Sequence, residues 1–169
     1  MGLTAAQIKS ALDAVAAQEP AIARALEKAG YPEPRIRTTG YMTLLRTIVG
    51  QQVSVAAAAS MWNKLEAELG ADFSPACLLE RDFDALRACG LSRQKQGYAR
   101  SLCELVSAGE VDFDNLPADD EEAIAELTKI KGIGRWSAEI YLLFAEGRPD
   151  IWPAGDLAVQ AGLHKLLGL

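Results

Sequence analysis

The chain is 169 residues long, half of them hydrophobic, with 17 basic and 23 acidic side chains, one histidine and a formal charge of −6. A chain of this size buries roughly 68–70% of its unfolded surface, enough for one compact domain or two small lobes about a cleft, and its apolar content excludes a disordered tail. No apolar run approaches the roughly 20 residues of a membrane span, and Met1-Gly2-Leu3-Thr4 offers no charged leader ahead of an apolar core, so the expected setting is the cytosol, with no membrane partner.

Helical patterns follow one another along the chain. Thr4-Ala5-Ala6-Gln7 is a capping box ahead of an apolar-periodic helix, and Pro20 begins a second helix that Gly30 closes. The run 31–39 is extended, because Pro32 and Pro34 exclude helix. A helix over 44–49 stops near Gly50, and the next runs from Ser54 to Leu69, ended by Gly70. Short helices are expected over 75–80 and 82–88, and Ser92 caps one that reaches Ser107. Arg93 and Lys95, at the start of that helix, fit a phosphate contact and a solvated face equally well. Asp119, with Glu122 three residues on, begins a further helix. No strand pattern occurs, so the expected fold class is all-α. Cys77, Cys89 and Cys103 sit in separate segments without a C-x-x-C pair, and one histidine cannot complete a zinc site. They read as buried reduced thiols, and no metal or cofactor is expected.

The most informative stretch is Leu127-Thr128-Lys129-Ile130-Lys131-Gly132-Ile133-Gly134-Arg135-Trp136-Ser137-Ala138, where a glycine pair interrupts two helical patterns. Glycine takes positive φ freely and places no Cβ between its own N–H and an approaching anion, so Gly132 and Gly134 can expose amides to a phosphate. Arg135 opens the next helix, whose unpaired N–H groups and positive dipole end draw the same anion. Lys129, Lys131 and Arg135 add positive charge, and Ile133 can pack between the two helices to keep the hairpin rigid. A plain helix-turn-helix corner accounts for a G-x-G alone. The full pattern Leu-x-x-Ile-x-Gly-Ile-Gly-x-x-Ser-Ala is more specific, and it marks Lys129, Lys131, Gly132, Ile133, Gly134 and Arg135 as DNA-binding candidates.

The net charge runs against nucleic acid, since phosphate binding depends on Lys and Arg. Its distribution removes part of the objection. Eight of the 23 acids lie between Glu110 and Glu126 in a stretch without Lys or Arg, leaving 17 basic residues against 15 acids elsewhere. That acidic stretch is expected to be a solvated linker and helix start facing away from DNA, with weak, salt-sensitive affinity as the result.

Three blocks carry a resemblance: Leu45-Arg46-Thr47-Ile48-Val49-Gly50-Gln51-Gln52-Val53-Ser54, then residues 130–138, then 152–160 beginning Trp152-Pro153-Ala154-Gly155-Asp156. In this order the chain resembles the helix-hairpin-helix-Gly/Pro-Asp superfamily of base-excision DNA glycosylases, most of all its 3-methyladenine DNA glycosylase II branch. The resemblance implies a two-lobed helical fold, with 1–40 and 157–169 as one lobe and 41–156 as the other across a cleft. It implies a monomer that hydrolyses the N-glycosidic bond of alkylated purines such as 3-methyladenine in damaged double-stranded DNA, without a cofactor. Family members continue for several helices past the one that starts at Asp156, so it also implies a shortened C-terminus. The four-cysteine iron–sulfur loop of the endonuclease III branch has no counterpart in this sequence.

Residue by residue, the resemblance places the family's catalytic aspartate at Asp156. A fixed carboxylate beside C1′ opposes the positive charge that builds on the deoxyribose and can orient the attacking water. On local chemistry alone, Gly155-Asp156 before Leu157-Ala158-Val159-Gln160 is an ordinary helix N-cap, and one carboxylate can serve both roles. Close relatives often carry two acids in a row here, whereas this chain has Gly155 before Asp156. Trp136 stands where the bifunctional branch has a Schiff-base lysine, which implies a monofunctional enzyme. Its indole also suits an electron-poor alkylated base, through stacking and a cation–π contribution, although an ordinary core position explains a tryptophan there as well. Tyr141 and Trp152 are further substrate-binding candidates, while the family's pocket tyrosine falls nearer Ile140. Gln52 matches the position from which the family fills the gap left by an extruded nucleotide, and a polar turn role is the alternative. Two other functional readings remain open: a glycosylase for another base, such as uracil or mismatched adenine, and a non-catalytic helix-hairpin-helix DNA-binding module.

Overall fold

The computed structural model describes residues 2–70 and 73–168; the two chain ends, 1 and 169, included in the expected first lobe, lie outside the described residues. The fold is all-α, with no strand among the described residues. The chain divides into two compact units, residues 2–38 with 139–168 and residues 39–138, so that 139–156 pack with the chain ends.

The 39–138 unit is built on a long helix. It contains α3 (Tyr41–Gly50), α4 (Val55–Leu69), α5 (Pro75–Glu80), α6 (Phe83–Ala88), α7 (Arg93–Ser107) and α8 (Asp120–Leu127). Local chemistry sets the starts: Ser54, Ser74, Asp82, Ser92 and Asp119 each accept, through a side-chain oxygen, a backbone N–H that the helix cannot satisfy itself. Helices α3, α5 and α6 pack against α7, and α4 packs against α3 and α6. Leu44, Leu45, Ile48, Leu65, Leu78, Leu86, Leu102, Leu127 and Ile130 are fully enclosed. Burying each such side chain contributes about 1.5–3 kcal/mol, which outweighs the modest helix propensity of these short elements. Helix α3 begins at Tyr41, three residues before the expected start, after Gly40 at φ 102° turns the chain. Cys77, Cys89 and Cys103 are free and buried, and burial pushes the Cys103 thiol up to about 12.

The other unit holds α1 (Ala5–Ala16) and α2 (Pro20–Ala29), with α2 packed against α1 and against α10 (Leu157–Leu167). The capping box on Thr4 and Gln7 is formed, and Gly30 closes α2 at φ 74°. Segment 31–39 is non-helical, and the Arg37 N–H donates to the Phe144 carbonyl at 2.9 Å. Phe144 lies in a π-helical turn, Leu142–Glu146, that follows α9 (Arg135–Tyr141) and ends at Gly147 in the left-handed conformation. This wider turn was not expected from the sequence. Leu142 and Ala145 line its buried side.

Candidate functional site

Between α8 and α9 the chain makes the hairpin that the glycine pattern predicts. The Thr128 hydroxyl donates to Ile124 O at 2.9 Å, and the Ile133 N–H donates to Ile130 O at 3.0 Å, closing the turn on itself. Ile130 and Ile133 are buried, while Lys129, Lys131, Gly132, Gly134 and Arg135 are exposed. The Lys131 N–H donates to the Ser101 hydroxyl at 3.2 Å, tying the hairpin to α7.

The two glycines differ. Gly132 sits at φ 83°, and a Cβ there would lie 2.2 Å from a Tyr98 ring carbon, so the hairpin rests its backbone on that ring. Gly134 lies outside the left-handed region, and a Cβ there meets nothing within 4 Å. Conformational freedom is therefore needed at Gly132 only, and open space is the property of Gly134. Among the described residues neither glycine N–H has a protein acceptor, which leaves both available to an outside one.

The charge around the hairpin is partly committed. Arg135 makes a two-pronged ion pair with Glu121 at 2.8 and 2.5 Å, both side chains remaining more than half exposed. The guanidinium holds the Glu121 carboxyl below its usual range. The acidic stretch thus reaches the hairpin through Glu121, rather than lying wholly apart from it. Sequence reasoning missed this pair, because 14 residues separate its members and no local pattern links them.

The turn after α3 approaches the same hairpin. The Gln51 side-chain amide donates to Gly132 O at 2.8 Å, across 81 residues of sequence. Gln52, which follows, is exposed at φ 55°, the one non-glycine residue with positive φ among the described residues. Lys95 Nζ donates to Val49 O at 2.7 Å, and burial lowers its ammonium pKa. Lys95 therefore caps the end of α3 instead of belonging to a solvated face. Arg93 lies over the Phe83 ring, 5.1 Å from its centroid.

Of the remaining candidates, Trp136 is 48% exposed in the first turn of α9, and Trp152 is 58% exposed. Tyr141, at the end of α9, is 1% exposed and so is closed to a base in this structure. Asp156 is half-buried, and its Oδ1 accepts the N–H groups of Ala158 at 2.8 Å and Val159 at 3.1 Å, so the carboxylate caps α10. The loop before it is held by the Ala154 N–H on Trp152 O, the Asp156 N–H on Pro153 O and the Gln160 side-chain amide on Ala154 O. Trp152 and Asp156 thus stand on one tied loop, while Gln51, Gln52 and residues 129–136 form a second cluster. Among the described residues no group of His, Cys, Asp and Glu side chains could hold a metal ion.

Residues 45–169 match the profile of HhH-GPD superfamily base excision DNA repair proteins. The chain is 35% identical over 135 residues to DNA-3-methyladenine glycosylase 1 of Schizosaccharomyces pombe, a match that covers 75% of this chain and 58% of the yeast protein. This chain therefore spans less than two thirds of that relative. The crystal structure of a DNA-3-methyladenine glycosidase from Bacillus halodurans superposes with a TM-score of 0.84 at 35% identity, over 91% of this chain and 72% of that one. The S. pombe 3-methyladenine DNA glycosylase in complex with abasic DNA superposes with a TM-score of 0.80 at 28% identity, over 95% and 81% of the two chains.

Proposed function

Because the chain belongs to the HhH-GPD superfamily of base excision DNA repair proteins, we propose that it is a monofunctional glycosylase that hydrolyses the N-glycosidic bond of alkylated purines in double-stranded DNA. The observation that carries this reading is the hairpin, with two glycine N–H groups open to an outside acceptor and exposed Lys129 and Lys131 beside them. Amides aimed at a phosphate fix the register of the protein on a duplex without reading its sequence. Relatives named for 3-methyladenine support the substrate class.

In this reading Lys129, Lys131, Gly132, Gly134 and Arg135 hold a phosphate, while buried Ile133 keeps the hairpin in shape. Gln52 enters the gap left by the extruded nucleotide. Trp136 and Trp152 offer indole faces to the base; Tyr141, enclosed in the core, supports the helix that carries Trp136. Asp156 opposes the charge that grows on the sugar as the C1′–N bond breaks and water adds to C1′. The direct test is to incubate the protein with duplexes bearing alkylated purines, uracil or mismatched adenine and to measure released base. Release of 3-methyladenine supports the reading. Release of uracil or adenine alone moves the activity to another base, and duplex binding without any abasic product identifies a binding module.

With tryptophan in place of the Schiff-base lysine, no imine forms, and the product is expected to be an intact abasic strand that breaks only in later alkali. Borohydride added during turnover should trap no adduct. A covalent protein–DNA species that vanishes on mutating Lys129, Lys131 or Lys165 would show a glycosylase-lyase instead.

The Glu121–Arg135 pair gives a second expectation. Glu121→Gln removes an acid and its two-pronged ion pair from beside the grip, so duplex affinity should rise about threefold at low salt and the gain should fade as salt increases. The Glu121 carboxyl is held low, so the pair persists at neutral pH and is lost as pH falls through that depressed value. Fluorescence anisotropy with an undamaged duplex checks this, and unchanged affinity at low salt refutes it.

A further inference from the structure

A glutamine at φ 55° is in a left-handed conformation that a side chain with a Cβ disfavours and that persists only where the surroundings impose it. Those surroundings can be named. On one side of Gln52, Lys95 Nζ holds the Val49 carbonyl at the end of α3, and on the other Ser54 caps α4 by accepting the Ala57 N–H. Between them the Gln51 backbone N–H donates to Ile48 O, and its side chain leaves the turn to reach the Gly132 carbonyl. The peptide that Gln51 grips joins Gly132 to Ile133, and its own N–H is already bonded to Ile130 O. That peptide plane is therefore fixed at both ends, and the next N–H along the chain is the open one of Gly134. A single side chain thus orients the peptide preceding an open glycine amide while immobilising the turn that holds Gln52.

We infer that Gln51 is a positioning residue that locks the Gln52 turn to the glycine hairpin, so that backbone grip and inserted side chain meet DNA as one rigid unit. The inference rests on the DNA-directed reading of both clusters, but the lock itself exists in the free protein. Gln51 touches no substrate; it acts through Gly132 and through the backbone of Gln52. Without it, the hairpin can still hold a phosphate, while the turn no longer keeps a fixed distance from it. Loss should therefore appear in the excision step more than in duplex affinity.

Two variants test this. Gln51→Met keeps length and removes the donor; Gln51→Glu keeps shape and sets a carboxylate against the Gly132 carbonyl. Hydrogen exchange on the free proteins comes first. In both variants peptides covering 50–55 and 130–135 should exchange about tenfold faster, while those from the enclosed parts of α3 and α4 stay unchanged. No change at 130–135 overturns the lock, and faster exchange throughout with a lowered Tm overturns it in favour of a general structural role. Single-turnover excision from alkylated duplex should then fall about tenfold, with affinity for undamaged duplex within twofold of wild type. Equal losses in both quantities would also overturn the inference.

The glutamate variant adds a signature that bulk stability does not produce. A carboxyl facing a carbonyl oxygen is held protonated to higher pH than usual, and once protonated it donates the missing hydrogen bond. Its activity relative to wild type should rise several-fold between pH 7.5 and 5.5, whereas the methionine variant stays flat, and parallel profiles for the two would count against the lock. If the wild-type protein releases no base, the proposed function fails while the exchange measurement still decides the inference.

Discussion

Replacing Asp156 with asparagine is expected to lower single-turnover excision by about a hundred- to a thousandfold while α10 and duplex affinity persist. The structure makes this substitution selective. Both cap bonds from Ala158 and Val159 end on Oδ1, an oxygen that asparagine retains, and asparagine is as good an N-cap as aspartate. The substitution keeps that cap and removes the negative charge, the property that opposes a cationic sugar in the transition state. Asp156→Ala should lose the cap as well, with about 0.5–2 kcal/mol of stability, so comparison of the two variants separates support of the helix from support of the reaction. Excision within a few fold of wild type for the asparagine variant, with Tm unchanged, would leave Asp156 as a cap and nothing more.

Gly132→Val should be the most damaging single change in the hairpin. A β-branched residue is strained at φ 83°, and its Cβ would overlap the Tyr98 ring at 2.2 Å. A penalty of roughly 2–4 kcal/mol corresponds to a Tm loss of about 5–15 °C for a chain of this size, and binding to every duplex should weaken more than tenfold. Gly134→Val differs because a side chain there has room and no conformational penalty. Its Tm should stay within about 2 °C of wild type, and the same uniform loss of duplex binding would then report the blocked amide alone. Loss confined to one lesion, with generic binding intact, would move these glycines from the backbone grip to the base pocket. Thermal melts and anisotropy titrations against damaged and undamaged duplexes distinguish the outcomes.

The contrast between the glycines shows what a sequence exposes and what it conceals. Helix starts were legible because capping is a matter of three or four neighbouring residues: Thr4, Ser92, Asp119 and Asp156 all cap as their local patterns predict. Helix stops at Gly30 and Gly70 were legible for the same reason. The hairpin and its exposed lysines were legible from the spacing of Ile130, Gly132, Ile133 and Gly134. Concealed were the relations that depend on chain segments meeting. Nothing near Gly132 in sequence announces Tyr98, nothing near Arg135 announces Glu121, and Lys95 fits a phosphate contact or a solvated face equally well until α3 is placed beside it. The π-helical turn at Leu142–Glu146 was hidden too, since its apolar residues fit an α-helical period as readily.

The hydrogen bond between Gln51 and Gly132 spans 81 residues, and that separation bears on how the protein acquires its working form. Contacts between α8 and the hairpin are local, costing little loop-closure entropy, so they can form early in folding. The bond from Gln51 can close only once the chain through Gly132 exists, with α4, α5, α6, α7 and α8 between its partners in sequence. During synthesis the turn at Gln52 emerges from the ribosome some eighty residues before its anchor. Closing this contact is therefore a long-range step, distinct in kind from the local hydrogen bonds that build each helix.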